Sequence, residues 1–296
     1  MMAKLLQRWC NIMQINIAII GYGIVGRALE AELLKERGSM NAANIKIFIK
    51  DIDGWLDCDS CDSYDSCDSY DSCNSCNSCN SCYNLPKLFN IAFVCVNTDS
   101  NEDGSTDLSC VEHAVANINS EIIVVKSAVP VGTCSMLSLK YKKQIVCSPE
   151  FYGNTLHSPK ELHWIILGGH RDVCAKVAQF YYKIKPSTFR IRFTDWNTAE
   201  LTKYTENTYL ALLVTFWNEI NIIGKQYGIN YEELRECVLM DERISPTHSF
   251  VFDDTPFWDS HCLNKDVDSL IHQGKGKAKL ITAMRDINIA RKARKK

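Results

Sequence analysis

Two small sets of residues have types and spacings suited to chemistry. Lys203 and Asn207 are four positions apart within residues 198–227, a stretch with no Pro and a single Gly, Gly224. At helical spacing they project from the same face, one turn apart. An ammonium beside a carboxamide can hold and polarise a substrate oxygen. The same spacing also fits a Lys at a helix edge and a surface Asn. The second set is Cys262, Lys265 and Asp266, at the start of a predicted helix that follows an irregular segment. A thiol at a helix N-terminus near a Lys has increased thiolate character, which suits a nucleophile. A buried, inert Cys is the alternative.

The elements that must position these residues begin with residues 15–20 (INIAII), an almost wholly apolar run read as a buried parallel strand. Gly21-Tyr22-Gly23-Ile24-Val25-Gly26 follows, and then a helical pattern that ends at Gly38. This is the G-x-G-x-x-G turn between strand and helix. Its first Gly permits the tight turn, its second lets a pyrophosphate approach the backbone, and its third lets helix and strand pack closely. Phosphates would sit on the helix N-terminus, where free N–H groups favour anions. A second strand at 45–49 leads to Asp51, placed to bind ribose hydroxyls and to favour NAD over NADP; Asp53 is the second choice.

Strands are predicted over 91–96, 121–126, 144–147 and 164–167, and helices over 108–119 and 172–182. Alternating strands and helices from residue 14 to about 195 predict an α/β, Rossmann-type doubly wound parallel sheet. Thr98, Ser127 and Glu150 lie in loops at the C-terminal ends of its strands, the edge where such sheets bind ligands. The stretch 198–227 then predicts a long helix, apolar over much of its circumference at Leu210, Leu213, Phe216 and Trp217. Helices follow at 231–240 and around Cys262. The tail 274–296 carries nine Lys/Arg and one Asp, and reads as a solvated helix. The expected organisation is an extension over 1–13, a dinucleotide-binding domain over 14–195 and an all-helical substrate and dimerisation domain over 196–296. Met13 is an alternative start.

The chain has 296 residues, 46% hydrophobic and 23% charged, with a net charge of −2. That composition is globular and gives no global electrostatic attraction to nucleic acid or membrane. Residues 1–13 lack the apolar core and cleavage site of a signal peptide. Of 15 cysteines, seven fall between Cys58 and Cys82, in a tandem triplet of Cys, Asp, Asn and Ser inserted at 57–84. The spacing Cys58/Cys61, Cys73/Cys76 and Cys79/Cys82 raises a zinc or iron–sulfur site. Cys and Tyr interchange in one slot, however, and no four-ligand pattern appears, so the reading is a slipped repeat in a surface loop with no metal. The remaining cysteines show no disulfide framework, as expected in a reducing, cytoplasmic compartment.

Taken in order, GYGIVG, KSAVPVGT, SPEF, AELTKYTENTYLALLVTFWNEI and HCLNKD resemble the UDP-glucose/GDP-mannose dehydrogenase family over residues 15–271, interrupted by the repeat. The resemblance implies an NAD-dependent oxidoreductase that takes the C6 alcohol of a nucleotide sugar, UDP-glucose first, to the acid. It implies that Cys262 captures the aldehyde as a thiohemiacetal and then carries a thioester. Lys203 would stabilise negative charge on the C6 oxygen and Asn207 would orient it. Asp266 would position the water and Glu150 would assist thioester hydrolysis. Thr98 and Lys265 would contact NAD, and Phe151 and Tyr152 the sugar, through their backbone. A homodimer through residues 199–223 is implied too. The sequence departs from the pattern at Asn97, Asp99 and Ala128, and residues 257–261 stand where the family has a glycine-rich loop. The chain ends at Lys296, so the family's C-terminal domain is expected to have no counterpart here.

Overall fold

A computed structural model describes residues 15–37, 45–51, 54–56, 85–152 and 162–294. The extension over 1–13, Asp53 and the triplet repeat from Cys58 to Cys82 lie outside the described residues.

The first part of the chain supplies β1 (Ile15–Ile20), α1 (Ile24–Arg37), β2 (Ile45–Asp51), β3 (Gly54–Leu56), β4 (Phe89–Val94), α2 (Ser109–Asn117) and β5 (Ser120–Val125). It continues with α3 (Thr133–Tyr141), β6 (Ile145–Cys147), β7 (Trp164–Gly168), α4 (Arg171–Ile184) and β8 (Arg190–Thr194). The strands form one sheet in the order β3-β2-β1-β4-β5-β6-β7-β8. Side chains alternate across the sheet and build two cores. Ile17, Ile19, Ile91, Phe93, Ile122 and Val124 pack against Leu29 and Leu33 of α1 and Val177 and Phe180 of α4. Ala18, Ala92, Val94, Ile123 and Val125 pack against α2 and α3 through Val111, Val115 and Leu137. A sheet covered on both faces accounts for strands that are apolar at nearly every position.

The sheet is mixed rather than wholly parallel. β2, β1, β4, β5 and β6 run parallel, but β3 is antiparallel to β2 and β7 to β6. β7 and β8 are parallel to each other. α3 and β8 were not legible in the sequence. β8, Arg-Ile-Arg-Phe-Thr, is an edge strand with no fully buried residue. α3 follows Gly132, whose positive φ of 94° starts it directly out of the preceding loop.

α5 (Trp196–Gln226), α6 (Tyr231–Val238), α7 (His261–Gln273) and α8 (Lys279–Ala293) form the second part. Asp195 caps α5 by accepting the Thr198 N–H at 2.9 Å, and Ser260 caps α7 by accepting the Leu263 N–H at 3.1 Å. The buried stripe of α5 is largely small or polar: Tyr204, Asn207, Thr208, Ala211, Thr215 and Asn218. Of the residues expected to form its apolar core, Trp217 is buried whereas Phe216 is half exposed. The basic tail is not simply solvated. α8 packs on α5 and α7, burying Met284 and Asn288, with Ile281 against the same core. The stripe Ile281, Met284, Asn288, Arg291 has helical spacing, and the charges lie around it. Among the described residues no helix is long and apolar enough to cross a membrane.

Candidate active site

The glycine turn leaves β1 at the point where strand order reverses between β1 and β4, the crevice that holds ligands in doubly wound sheets. Gly21 has φ +90°, and a Cβ there would come within 2.8 Å of the Cys95 carbonyl oxygen. A Cβ on Gly26 would come within 2.2 Å of the Gly21 carbonyl oxygen. These two glycines are required by the protein's own packing. Gly23 differs: no atom lies within 4 Å of an added Cβ. It opens onto a cleft of about 860 Å³ lined by Gly21, Tyr22, Gly23, Asp51, Cys95 and Val96, and extending to His113 and Asn117 of α2. Asp51 accepts the Tyr22 N–H at 3.3 Å, which sets its carboxylate at the cleft wall. Ile24 begins α1, exposed, while Val25 packs toward the core. Open space at the second glycine, a helix N-terminus and an acid at the end of β2 fit a dinucleotide.

Where the sheet edge meets the helices, four expected residues come together. Asn207 donates its Nδ2 to Asp266 Oδ2, and both are buried. Lys265 Nζ lies 2.7 Å from Asp266 Oδ1 and donates to Thr98 Oγ1 at 3.2 Å. This chain of contacts joins the loop after β4 to α7 and α5. Cys262 is exposed in the first turn of α7. Standing three and four residues before Lys265 and Asp266, it shares their helix face. One turn before Asn207, Lys203 Nζ lies 2.8 Å from Glu206 and 4.9 Å from the centre of the Phe151 ring. Lys203 therefore stands over the loop that carries Phe151.

Glu150 is buried on that loop. Its Oε1 accepts the N–H groups of Phe151 and Tyr152 at 2.7 and 2.8 Å, and its Oε2 faces Lys126 Nζ at 3.0 Å. Burial by itself would lower the Lys126 pKa, but Glu150, with Glu32 and Cys95, raises it and the net shift is upward. The expected backbone contacts to a sugar from Phe151 and Tyr152 are thus restricted, because both N–H groups are already engaged. The Tyr152 hydroxyl donates to Glu32 at 2.5 Å, and Glu32 also pairs with Lys185 at 2.6 Å. Burial and the Glu32 carboxylate push the Tyr152 phenol far up. Ser127 donates its hydroxyl to the Val96 carbonyl at 2.7 Å, tying two strand-end loops together.

Lys126 was not singled out by sequence reasoning, although a Lys closing an apolar strand was a visible signal. Glu200 was missed as well. Buried on α5, its two oxygens accept the N–H groups of Gly132 and Cys134 at 2.6 and 2.7 Å, capping α3 from another helix. Cys134, Cys147 and Glu200 lie close enough to suggest a metal. Both carboxylate oxygens are engaged with backbone, however, and contact with Cys147 together with burial holds the Cys134 thiol in its protonated form.

The model of the UDP-glucose/GDP-mannose dehydrogenase family NAD-binding domain matches residues 71–185, and that of its central domain matches residues 197–290. The chain belongs to this family. The first match covers the sheet part from β4 to α4 and begins after the glycine turn, and the second covers the helices from α5 into α8. The chain is 28% identical over 195 residues to a UDP-glucose 6-dehydrogenase of Campylobacter jejuni, covering 62% of this chain and 49% of that one. It spans about half the length, or less, of the curated relatives it matches. Its fold is similar to that of a UDP-glucose dehydrogenase from Pyrobaculum islandicum, at TM-score 0.68 and 18% identity over 94% of this chain and 68% of that chain. It is also similar to that of a 3-hydroxyisobutyrate dehydrogenase from Mycobacterium tuberculosis, at TM-score 0.62 and 13% identity over 95% of this chain and 94% of that chain.

Proposed function

We propose that the chain is an NAD-dependent dehydrogenase that oxidises the C6 alcohol of a nucleotide sugar, UDP-glucose first, to the carboxylate. The observation that carries this reading is the meeting of Asn207, Asp266, Lys265 and Thr98 at the ligand edge of the sheet, with Cys262 one helical turn before Asp266 on α7. The glycine turn from Gly21 to Gly26 and Asp51 would hold NAD, which would supply the hydride acceptor for each of two oxidations. Lys203 and Asn207 hold the C6 oxygen and stabilise its negative charge. The Cys262 sulfur adds to the aldehyde carbon as the carbonyl oxygen takes up a proton, giving a thiohemiacetal. Loss of the second hydride to a second NAD, with the hydroxyl proton passing to water, would leave a thioester on Cys262. Asp266 orients the water that displaces the thiolate, and Glu150 assists. In this reading residues 14–195 hold the cofactor on the sheet, and the substrate lies between the sheet and the helices of residues 196–296.

The expected result is production of two NADH per UDP-glucose, read by absorbance. No turnover with UDP-glucose or any of a panel of nucleotide sugars sinks the reading. A second reading, a two-electron hydroxyacid-type dehydrogenase, is favoured by one observation: its fold-level relative is matched over nearly its whole length. It predicts one NADH per substrate and no need for Cys262. Tight NAD binding with no turnover would mark a repurposed binding protein.

Assembly follows from α5. Leu201, Tyr209, Phe216 and Ile223 are exposed and fall on one stripe of that helix. Burying one such side chain is worth roughly 1.5–3 kcal/mol, and a two-fold axis would pair the stripe with itself. Sedimentation equilibrium is expected to show a homodimer built on residues 199–223. A monomer of 33.6 kDa at micromolar concentration would count against it.

A further inference from the structure

The segment between α6 and α7 leads into the first turn of α7, where Cys262 stands. From Phe250 to Asn264, Trp258 is the only residue that is fully buried, at 5% exposure. Its ring enters the third core cluster with Ala211, Val267 and Met284, and its indole N–H donates to Thr215 Oγ1 at 3.0 Å. Its backbone is held at both polar atoms by one side chain. The Trp258 N–H donates to Asn288 Oδ1 at 2.9 Å, and Asn288 Nδ2 donates back to the Trp258 carbonyl at 2.9 Å. Asn288 is 4% exposed, on α8. Two contacts flank this clamp. Lys292 of α8 pairs with Asp259 at 2.5 Å, and Asp259 also accepts from Asn264 in the first turn of α7 at 3.0 Å.

We infer that Asn288 is a positioning residue for Cys262: the clamp on Trp258 fixes where α7 begins, and so where its first-turn thiol stands relative to Lys203 and Asn207. Asp266 anchors α7 from inside, through Asn207 and Lys265. The other printed ties at this turn, Asp259 with Lys292 and His261 with Asp99, join exposed side chains, so loss of the buried clamp on Trp258 lets the first turn fray. A primary amide is the group that can both accept from a peptide N–H and donate to a peptide carbonyl. Asp at this position would set a carboxylate against the Trp258 carbonyl oxygen, and Ala would leave both buried backbone groups unpaired. The basic helix at the end of the described chain thereby reaches the reacting thiol without touching substrate. The inference rests on Cys262 being the nucleophile.

The test uses the full chain with Asn288→Ala and Trp258→Phe, the latter keeping ring bulk but losing the bond to Thr215. Three quantities are measured: hydrogen exchange over residues 257–264 and 279–293, NADH formed per substrate consumed, and aldehyde trapped with a hydrazine. For Asn288→Ala the expected result is faster exchange over 257–264 with 279–293 still protected. Turnover should drop roughly 10²-fold, as for a displacement of about 1 Å at a reacting atom. NADH per substrate should fall from two toward one as trapped aldehyde appears, with KM for NAD unchanged. Trp258→Phe should show a smaller change in the same direction. Retention of two NADH and full turnover in Asn288→Ala overturns the inference. If Asn288→Ala also loses protection over 279–293, Asn288→Asp, which keeps the acceptor for the Trp258 N–H and loses only the donor to its carbonyl, decides, and two NADH without trapped aldehyde in that variant overturns the inference. If the unmodified chain itself forms one NADH per substrate, the reading of Cys262 fails first, and the positioning role fails with it.

Discussion

Cys262→Ala is expected to abolish formation of the acid while leaving NAD binding intact. The residue stands at the second position of α7, after its Ser260 cap, on the helix face that also presents Asp266. It is exposed and in no disulfide. In the proposed sequence the thiol is needed only after the first oxidation, when the aldehyde must be held and activated for a second hydride loss. Removing it should lower the overall rate by about 10³-fold or more, the scale seen when a covalent nucleophile is deleted. A slow single oxidation should remain, since Lys203, Asn207 and the dinucleotide cleft are untouched. The check is NADH stoichiometry with aldehyde trapping, beside a titration of NAD binding. Full acid production by Cys262→Ala would favour the two-electron reading in its place.

Glu150→Ala is expected to destabilise the fold by about 3–5 kcal/mol, the usual cost of leaving one half of a buried ion pair unpaired. Lys126 and Glu150 are 4% and 6% exposed and 3.0 Å apart, so the Lys126 ammonium would lose its counter-charge in a dry setting. The Phe151 and Tyr152 N–H groups would lose their acceptor in the same step. Lys126→Met should cost less, because the remaining carboxylate keeps those two N–H donors. The double substitution Lys126→Met/Glu150→Leu should cost less than the sum of the two single changes, since apolar replacement of a buried pair is often close to neutral. Urea unfolding of the set measures this. Strict additivity would show that the pair does not interact in the folded chain.

Much of the nucleotide-binding half was legible because its signals are local. Gly21, Gly23 and Gly26 sit between an apolar run and a helical pattern, and that arrangement fits few other structures. Lys203 with Asn207, and Cys262 with Asp266, could be paired within their helices because helical spacing alone sets the shared face. The contact between Asn207 and Asp266 could not be read. It joins residues on different helices, and only the packing of α7 on α5 brings them together. Lys126 with Glu150 is the same case across two strand ends. β8 was missed because an edge strand buries too little for its alternation to show. The fate of the basic tail turned on four residues of a stripe that the surrounding Lys and Arg obscure.

The sequence by itself determined the class of fold, the dinucleotide turn and the family, since each depends on residue types at fixed spacings along the chain. The tertiary structure decided which groups remain available for chemistry. It spends the Phe151 and Tyr152 N–H groups and the Ser127 hydroxyl on internal bonds. It turns Leu201, Tyr209, Phe216 and Ile223 of α5 outward and buries Asn207, Thr208, Thr215 and Asn218 along with Trp217. It also sets Asn288 against Trp258, thirty residues away in the chain. The physical reason is common to all of these: hydrogen bonds and burial are satisfied between elements, and a linear pattern does not specify the partner.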